Sequence, residues 1–224
     1  MNPAELTGRA RSHVVERPEF ACALHRYVVA PFTAMRRAAL AEGFDLAPAS
    51  GFRDFARQLR IWNEKYAGER PSYDATGAAL DVAALSAAAR VEAILQWSAL
   101  PGASRHHWGT DLDLFDRGAI GAGRAPRLTA EEYADGGPFA GVRVWLERHA
   151  ARFGFFRPYR GVLSGVQCEA WHYSFAPVAD GARRALGVEV LREALADAPL
   201  AGKDEVLASL EELHARYVAR IDPF

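Results

Sequence analysis

The run SRHHWGTDLDLFD (Ser104–Asp116) limits the fold more than any other part of the chain. From Thr110 onward acidic and apolar residues alternate, with Asp111 and Asp113 on one side and Leu112 and Leu114 on the other. Period-two alternation is the pattern of a β-strand with one face in a core. The acidic face needs either water or compensating charge. Just before it stand two adjacent histidines and Gly109. His106 and Asp113 are seven residues apart, a separation that an uninterrupted strand sends to opposite faces. A turn or bulge at Trp108–Gly109 corrects the phase, and glycine permits the backbone geometry this needs. The segment suits two readings: a capped turn ahead of a solvated acidic face, or two-thirds of a metal site.

A second cluster bears on the choice. CEAWHYSF sets Glu169 three residues before His172, within a stretch predicted as a strand over 166–175. A glutamate in such an apolar segment is costly to bury without a charge or donor beside it. With His172 as a third ligand, Glu169 would stand next to the metal and take a proton from the attacking water, the division of labour of metal-assisted hydrolysis.

The remaining pattern predicts an α+β chain: a small central antiparallel sheet carrying the metal site, flanked by N- and C-terminal helices. Residues 20–43 read as helix, kinked or divided by Pro31 and ended by Gly43. A short strand follows over 44–52, then a helix with Asp54 as N-cap and Phe55, Leu59 and Trp62 on one face. Residues 77–100 look mostly helical, 117–138 a long Gly- and Pro-rich excursion over a cleft, and 141–155 an amphipathic helix with Val142, Trp145 and Leu146 inward. Two helices close the chain, over 181–196 and 203–221, the second with Val206, Leu207, Leu210, Leu213 and Tyr217 as its docking stripe. One domain is expected over 1–224, with a motif core at 50–175 and helical extensions at 1–43 and 181–224.

Charge excludes some partners. Lys and Arg total 27 against 28 Asp and Glu, a net charge of −1, so there is no basic field for nucleic acid or an anionic membrane. No run reaches the ~18 apolar residues of a membrane span. The first twenty residues lack the apolar core of a secretory signal; the expectation is a cytoplasmic protein as written, or a periplasmic one if a leader has been removed. Cys22 and Cys168 are expected to be buried free thiols.

The pattern S-x-H-x-x-G-x-x-x-D (Ser104 to Asp113), followed by E-x-W-H (Glu169 to His172), resembles the zinc D-alanyl-D-alanine carboxypeptidases and dipeptidases of the VanY type. SGFRDFARQ (Ser50–Gln58) resembles the SGYR-x-x-x-x-Q segment of that family. WLERHAARFGFFRPY resembles the helix and aromatic turn that precede its E-x-W-H. The resemblance implies about one Zn2+ per chain, held by His106, Asp113 and His172, with Glu169 as general base. It implies Arg53 as the cation for the substrate's carboxylate or polarised carbonyl, supported by Gln58 and Ser104. The implied substrate is a peptidoglycan-derived peptide ending in D-Ala, or free D-Ala-D-Ala for dipeptidase action. A guanidinium binds a terminal carboxylate through two hydrogen bonds, which agrees with that role for Arg53.

Asp111 departs from the pattern, because the family commonly has a small residue two before the ligand aspartate. It faces the same side as Asp113 and suits orienting a metal ligand, contacting a cationic substrate group, or facing water. Trp108 and Trp171 suit cleft walls or core, with Trp171 a further candidate for supporting the site. His107 is expected to point away from the metal, and His149 to be half-buried structure. A non-catalytic zinc-containing binding module on the same scaffold is the competing class, and Glu169 argues against it.

Overall fold

The computed structural model describes residues 1–121 and 123–224. The chain opens with helix α1 (Pro3–Leu6) and a hairpin of β1 (Val14–Arg17) and β2 (Cys22–His25). Next come α2 (Val29–Ala41), β3 (Leu46–Ser50), α3 (Phe55–Tyr66) and α4 (Ala87–Leu95). Then β4 (Asp111–Asp116), α5 (Ala130–Tyr133), α6 (Ala140–His149), β5 (Phe155–Phe156) and β6 (His172–Phe175) follow. The chain closes with α7 (Ala176–Ala185), α8 (Val188–Ala196), α9 (Lys203–Ala208), α10 (Leu210–Leu213) and a π-helical segment over His214–Ala219.

The central sheet is antiparallel with strand order β3–β4–β6–β5. Its register places Ser50, Asp113 and His172 in one row across three strands. Leu112 and Leu114 are fully buried, as their alternation predicts, in a core with α2 and α6 that includes Phe32, Met35, Trp145 and Tyr173. A second core, centred on Trp62, Ile94, Leu191 and Leu210, joins α3 and α4 to the C-terminal helices. The predicted stripe supplies Val206, Leu210, Leu213 and Tyr217 to it. Asp54 caps α3 as expected, its Oδ1 accepting from Arg57 N at 2.8 Å.

Several elements are shorter than predicted. The helix read over 20–43 begins only at Val29, so the extension at 1–43 is part hairpin. Ala21 turns the chain with φ 54°, and Cys22–His25 then pair with Val14–Arg17, where two β-branched residues favour a strand. Pro31 falls in the first turn of α2, where N–H groups have no helical partner, so it neither kinks nor divides the helix. The helix read over 77–100 shrinks to Ala87–Leu95, because Asp81 caps a separate 3₁₀ turn and Ser86 starts the helix afresh. The strand read over 166–175 begins only at His172. Before it the backbone bonds to loops, Gln167 N to Gln96 O and Glu169 N to Tyr159 O. The last two predicted helices are divided among α7 to α10, with Gly187 at the first break. The excursion over 117–138 contains a 3₁₀ turn at Arg117–Ala119 and helix α5; Ala122 within it lies outside the described residues. Cys22 is half-buried and Cys168 exposed, both free, so the expectation of two buried thiols fails.

Candidate active site

His106 rides on a 3₁₀ turn, Arg105–Trp108, that ends at Gly109. Gly109 has φ 64°, and a Cβ there would stand 2.6 Å from Val14 Cγ1 and 2.7 Å from His25 N. Only glycine fits both the left-handed backbone and that close approach. The turn resets the phase of the chain, so His106 and Asp113 meet despite their odd separation. Asp113 in turn faces His172 across the β4–β6 ladder. One potential ligand atom from each of His106, Asp113 and His172 lies within 4.8 Å of the others, and all three residues are buried. His106 Nε2 is 3.4 Å from Asp113 Oδ2, and His172 Nδ1 is 3.5 Å from Asp113 Oδ1.

Each imidazole is held by its other nitrogen. His106 Nδ1 donates to Gly51 O at 2.8 Å, which leaves Nε2 as a lone pair facing Asp113. His172 Nε2 lies 2.9 Å from Asp111 Oδ1. Asp111 also accepts from Arg105 Nε (2.8 Å), Thr110 Oγ1 (2.6 Å) and Ser174 Oγ (3.0 Å). Arg105 bonds Ser174 Oγ as well, at 2.6 Å. Burial raises the Asp111 carboxyl, but Arg105, then His172 and Thr110, outweigh it and hold the group well below the usual carboxylate range. Its oxygens are taken by protein donors, so Asp111 stands behind His172 rather than in the cluster. The acidic face of β4 is therefore buried, not solvated.

Glu169 lies just ahead of β6, with Oε2 3.0 Å from His172 Nδ1. Burial pulls the His172 imidazolium down, yet hydrogen bonds to Asp111 and Glu169 lift it to about 10. Burial likewise raises Asp113, and His106 more than reverses this. Three carboxylates thus surround two imidazoles in a buried space, an arrangement that calls for a positive charge. Two imidazole nitrogens and one carboxylate oxygen are also the number and types of ligand that a catalytic zinc takes.

These residues open on a cleft of about 580 Å³ lined by Arg53, Ser104, Tyr159 and Trp171 among others. Arg53 Nη1 donates to Gln58 Oε1 at 2.7 Å and Nη2 to Ser50 Oγ at 3.3 Å. Gln58, fully buried, is anchored in turn by Nε2 to Ala99 O at 2.7 Å. Arg53 N donates to His106 O, which ties the cation's backbone to the turn carrying the histidine. Ser104 is buried in the cleft wall at the start of that turn, without a side-chain cap bond. Trp171 is buried with its ring 5.6 Å from Tyr133.

The other histidines behave as expected. His107 Nδ1 donates to Arg53 O (2.6 Å) and its Nε2 accepts from Gly102 N (3.1 Å). His149 is half-buried against Trp145. Sequence reasoning missed Arg105, Thr110, Ser174 and the Gly51 carbonyl. Ser174 was accessible through alternation, sharing a strand face with His172; the others are contacts that no spacing announces.

The family model "VanY: D-alanyl-D-alanine carboxypeptidase" matches residues 21–178. The chain belongs to the VanY family. It is 44% identical over 103 residues to an uncharacterized protein of Haemophilus influenzae, covering 45% of this chain and 70% of that protein. It is 33% identical over 144 residues to a D-alanyl-D-alanine carboxypeptidase of Enterococcus faecalis, covering 63% of this chain and 44% of that one. The fold is similar to that of the vancomycin-resistance D,D-pentapeptidase VanY in complex with Zn(II), with TM-score 0.52, 23% identity, and coverage of 86% and 88% of the two chains. Every residue of the cluster and its hydrogen-bonded supports, from Gly51 to Ser174, falls inside the matched region, while α8 to α10 lie beyond it.

Proposed function

We propose that this chain is a zinc-dependent D,D-carboxypeptidase that releases the terminal D-alanine of cell-wall peptides ending in D-Ala-D-Ala. One observation carries the reading: the buried His106–Asp113–His172 cluster has Glu169 at its edge, 3.0 Å from His172, and Arg53 in the same cleft. The family's activity and the Zn(II) bound by the similar pentapeptidase support it. The matched family model is that of a carboxypeptidase, which favours that action over a dipeptidase acting on free D-Ala-D-Ala.

In this reading His106 Nε2, His172 Nδ1 and an Asp113 oxygen hold the zinc. When bound there, the ion would supply Lewis acidity to the scissile carbonyl and to a water. Arg53, aimed by Gln58 and Ser50, clamps the terminal carboxylate and so sets which peptide bond is presented. Glu169 takes the proton of the attacking water and passes it to the departing amine. Asp111 keeps the His172 ring turned so that Nδ1 faces the cluster, and Arg105 keeps Asp111 ionised.

The test is mass spectrometry of products from the zinc-loaded protein given an N-acetylated peptide ending in D-Ala-D-Ala, its C-terminal amide, and free D-Ala-D-Ala. Loss of one D-Ala from the acid, with the amide spared, is expected. Cleavage of the dipeptide alone would make the chain a dipeptidase, and equal cleavage of acid and amide would remove Arg53 from its role.

A further inference from the structure

Lys65 sits in the last turn of α3 and lines the cleft, with only 8% of its surface exposed. Among the described residues no hydrogen bond or ion pair reaches its Nζ; its neighbour Glu64 is taken by Arg60 and Arg70. The stem is packed away from solvent while the unpaired Nζ keeps access to the cleft. Burial pushes it down to about 8, Arg70 adds repulsion and Glu169 partly offsets both, so the charge persists at neutral pH. Arg53, in the same cleft, also has no carboxylate partner; its bonds go to Gln58 and Ser50.

Gln58 and Lys65 are seven residues apart on α3, hence on one face and about 10 Å apart along the axis. Helical side chains lean toward the N-terminus, which directs the Lys65 ammonium back along the cleft toward Arg53. Of the lysine and arginine side chains lining the cleft, Arg70, Arg105 and Arg127 are paired with Glu64, Asp111 and Glu132, which leaves Arg53 and Lys65, at the two ends of one helix face, without an ion pair among the described residues.

We propose that Lys65 binds a second carboxylate of the substrate, so that the preferred peptide carries an acidic side chain near the scissile bond as well as its terminal carboxylate. This rests on the peptidase reading above and names the class of peptide. Two N-acetylated tripeptides ending in D-Ala-D-Ala, one with glutamate and one with glutamine as the first residue, test it on wild type and on Lys65→Met. Wild type should cleave the glutamate peptide with kcat/KM about tenfold above its twin, the worth of one charge-assisted hydrogen bond. Lys65→Met should abolish that preference and leave the glutamine peptide within about twofold of wild type. No preference in wild type, or an equal loss on both peptides in the variant, overturns the assignment.

Calorimetric titration of the same peptides into Glu169→Gln reads Lys65 without hydrolysis. Tighter binding of the glutamate peptide, lost on adding Lys65→Met, upholds the site even if wild type cleaves neither peptide, an outcome in which the peptidase reading alone falls. Equal binding of the twins removes Lys65 from substrate recognition. Lys65→Met should melt close to wild type, since Nζ has no partner within the fold to lose; melting well below it would reveal such a partner and sink the premise.

Discussion

His172 and His25 are buried to nearly the same degree, 4% and 5% exposed, yet they stand at opposite ends of the imidazole range. His25 lies on the N-terminal hairpin against the ring of His13, where burial, then the charges of His13 and Arg26, push it down to about 4. His172 lies deeper still within the protein, yet Asp111 and Glu169 lift it to about 10. Burial alone makes an imidazole neutral and turns it into scaffold; carboxylates set around it make it part of a seat for positive charge. The hairpin and core histidines serve the seat from behind. His13 Nε2 donates to His107 O, and His107 in turn holds Arg53 O and Gly102 N. Burial keeps His107 neutral as well, down to about 3. The molecule thus has a carboxylate-ringed histidine centre mounted on buried, uncharged histidines.

The strongest attack on this contrast removes the charge on Glu169 without changing its shape. Glu169→Gln should lower kcat by about 10² to 10⁴, the usual worth of a positioned general base. Zinc content, measured by atomic absorption on the purified variant, should stay at the wild-type level because His106, Asp113 and His172 are untouched. Hydrolysis that survives in a zinc-loaded Glu169→Gln protein would move the proton-transfer role to another group and reduce Glu169 to a structural neighbour of His172.

A smaller effect is expected from the carboxylate behind the ring. Asp111→Asn keeps one hydrogen bond to His172 but takes away the charge, so zinc affinity should fall by about 10- to 100-fold in competition with a chelator. Arg105 is then left buried without its anion, and stability should fall by up to about 3–5 kcal/mol in denaturant unfolding. The two readouts separate the roles. Lost stability with unchanged zinc affinity would make Asp111 a partner of Arg105 only, and would place His172 closer in kind to His25.

Most of the charged centre was visible in the sequence because it is built from local devices. Alternation placed Asp111 and Asp113 together, Gly109 announced the turn, and Glu169 was conspicuous as an acid among apolar neighbours. The place of His172 beside His106 and Asp113 came from family resemblance, and the β4–β6 pairing that brings it there was not foreseen, since nothing in the spacing from Asp113 to His172 dictates it. The uncharged mounting was the illegible part. Cys22–His25 has a helix-like apolar pattern and becomes a strand only because Val14–Arg17 lies alongside it. Arg105 and Asp111 meet through a turn, and Lys65, although it shares the buried helical face of Phe55, Gln58 and Trp62, carries no sign in its spacing that this face borders a cleft. Propensity is a weak prior where tertiary contacts decide.

The smallest effect sharpens the contrast through pH. The unfolded chain protonates its histidines near 6.5, whereas folded His25 stays neutral to about 4. A depressed imidazole means that the unfolded state binds more protons, so stability falls as pH drops from 6.5 toward 4, by at most about 1.4 kcal/mol per pH unit for each such histidine. His172 acts in the opposite sense in the metal-free protein: its contribution is complete below 6.5 and is lost as pH rises toward about 10. It is therefore flat across the acid window. Asp111 and Asp113, held below the usual carboxylate range, lose their contributions only below the unfolded value near 3.8. The slope between pH 6.5 and 4 belongs to the hairpin and core histidines. His25→Leu should be less stable at pH 7, having lost the acceptor for Tyr27 N, yet show a shallower fall in melting temperature toward pH 4. An unchanged slope would mean that His25 is charged in the fold, and the distinction between its environment and that of His172 would collapse.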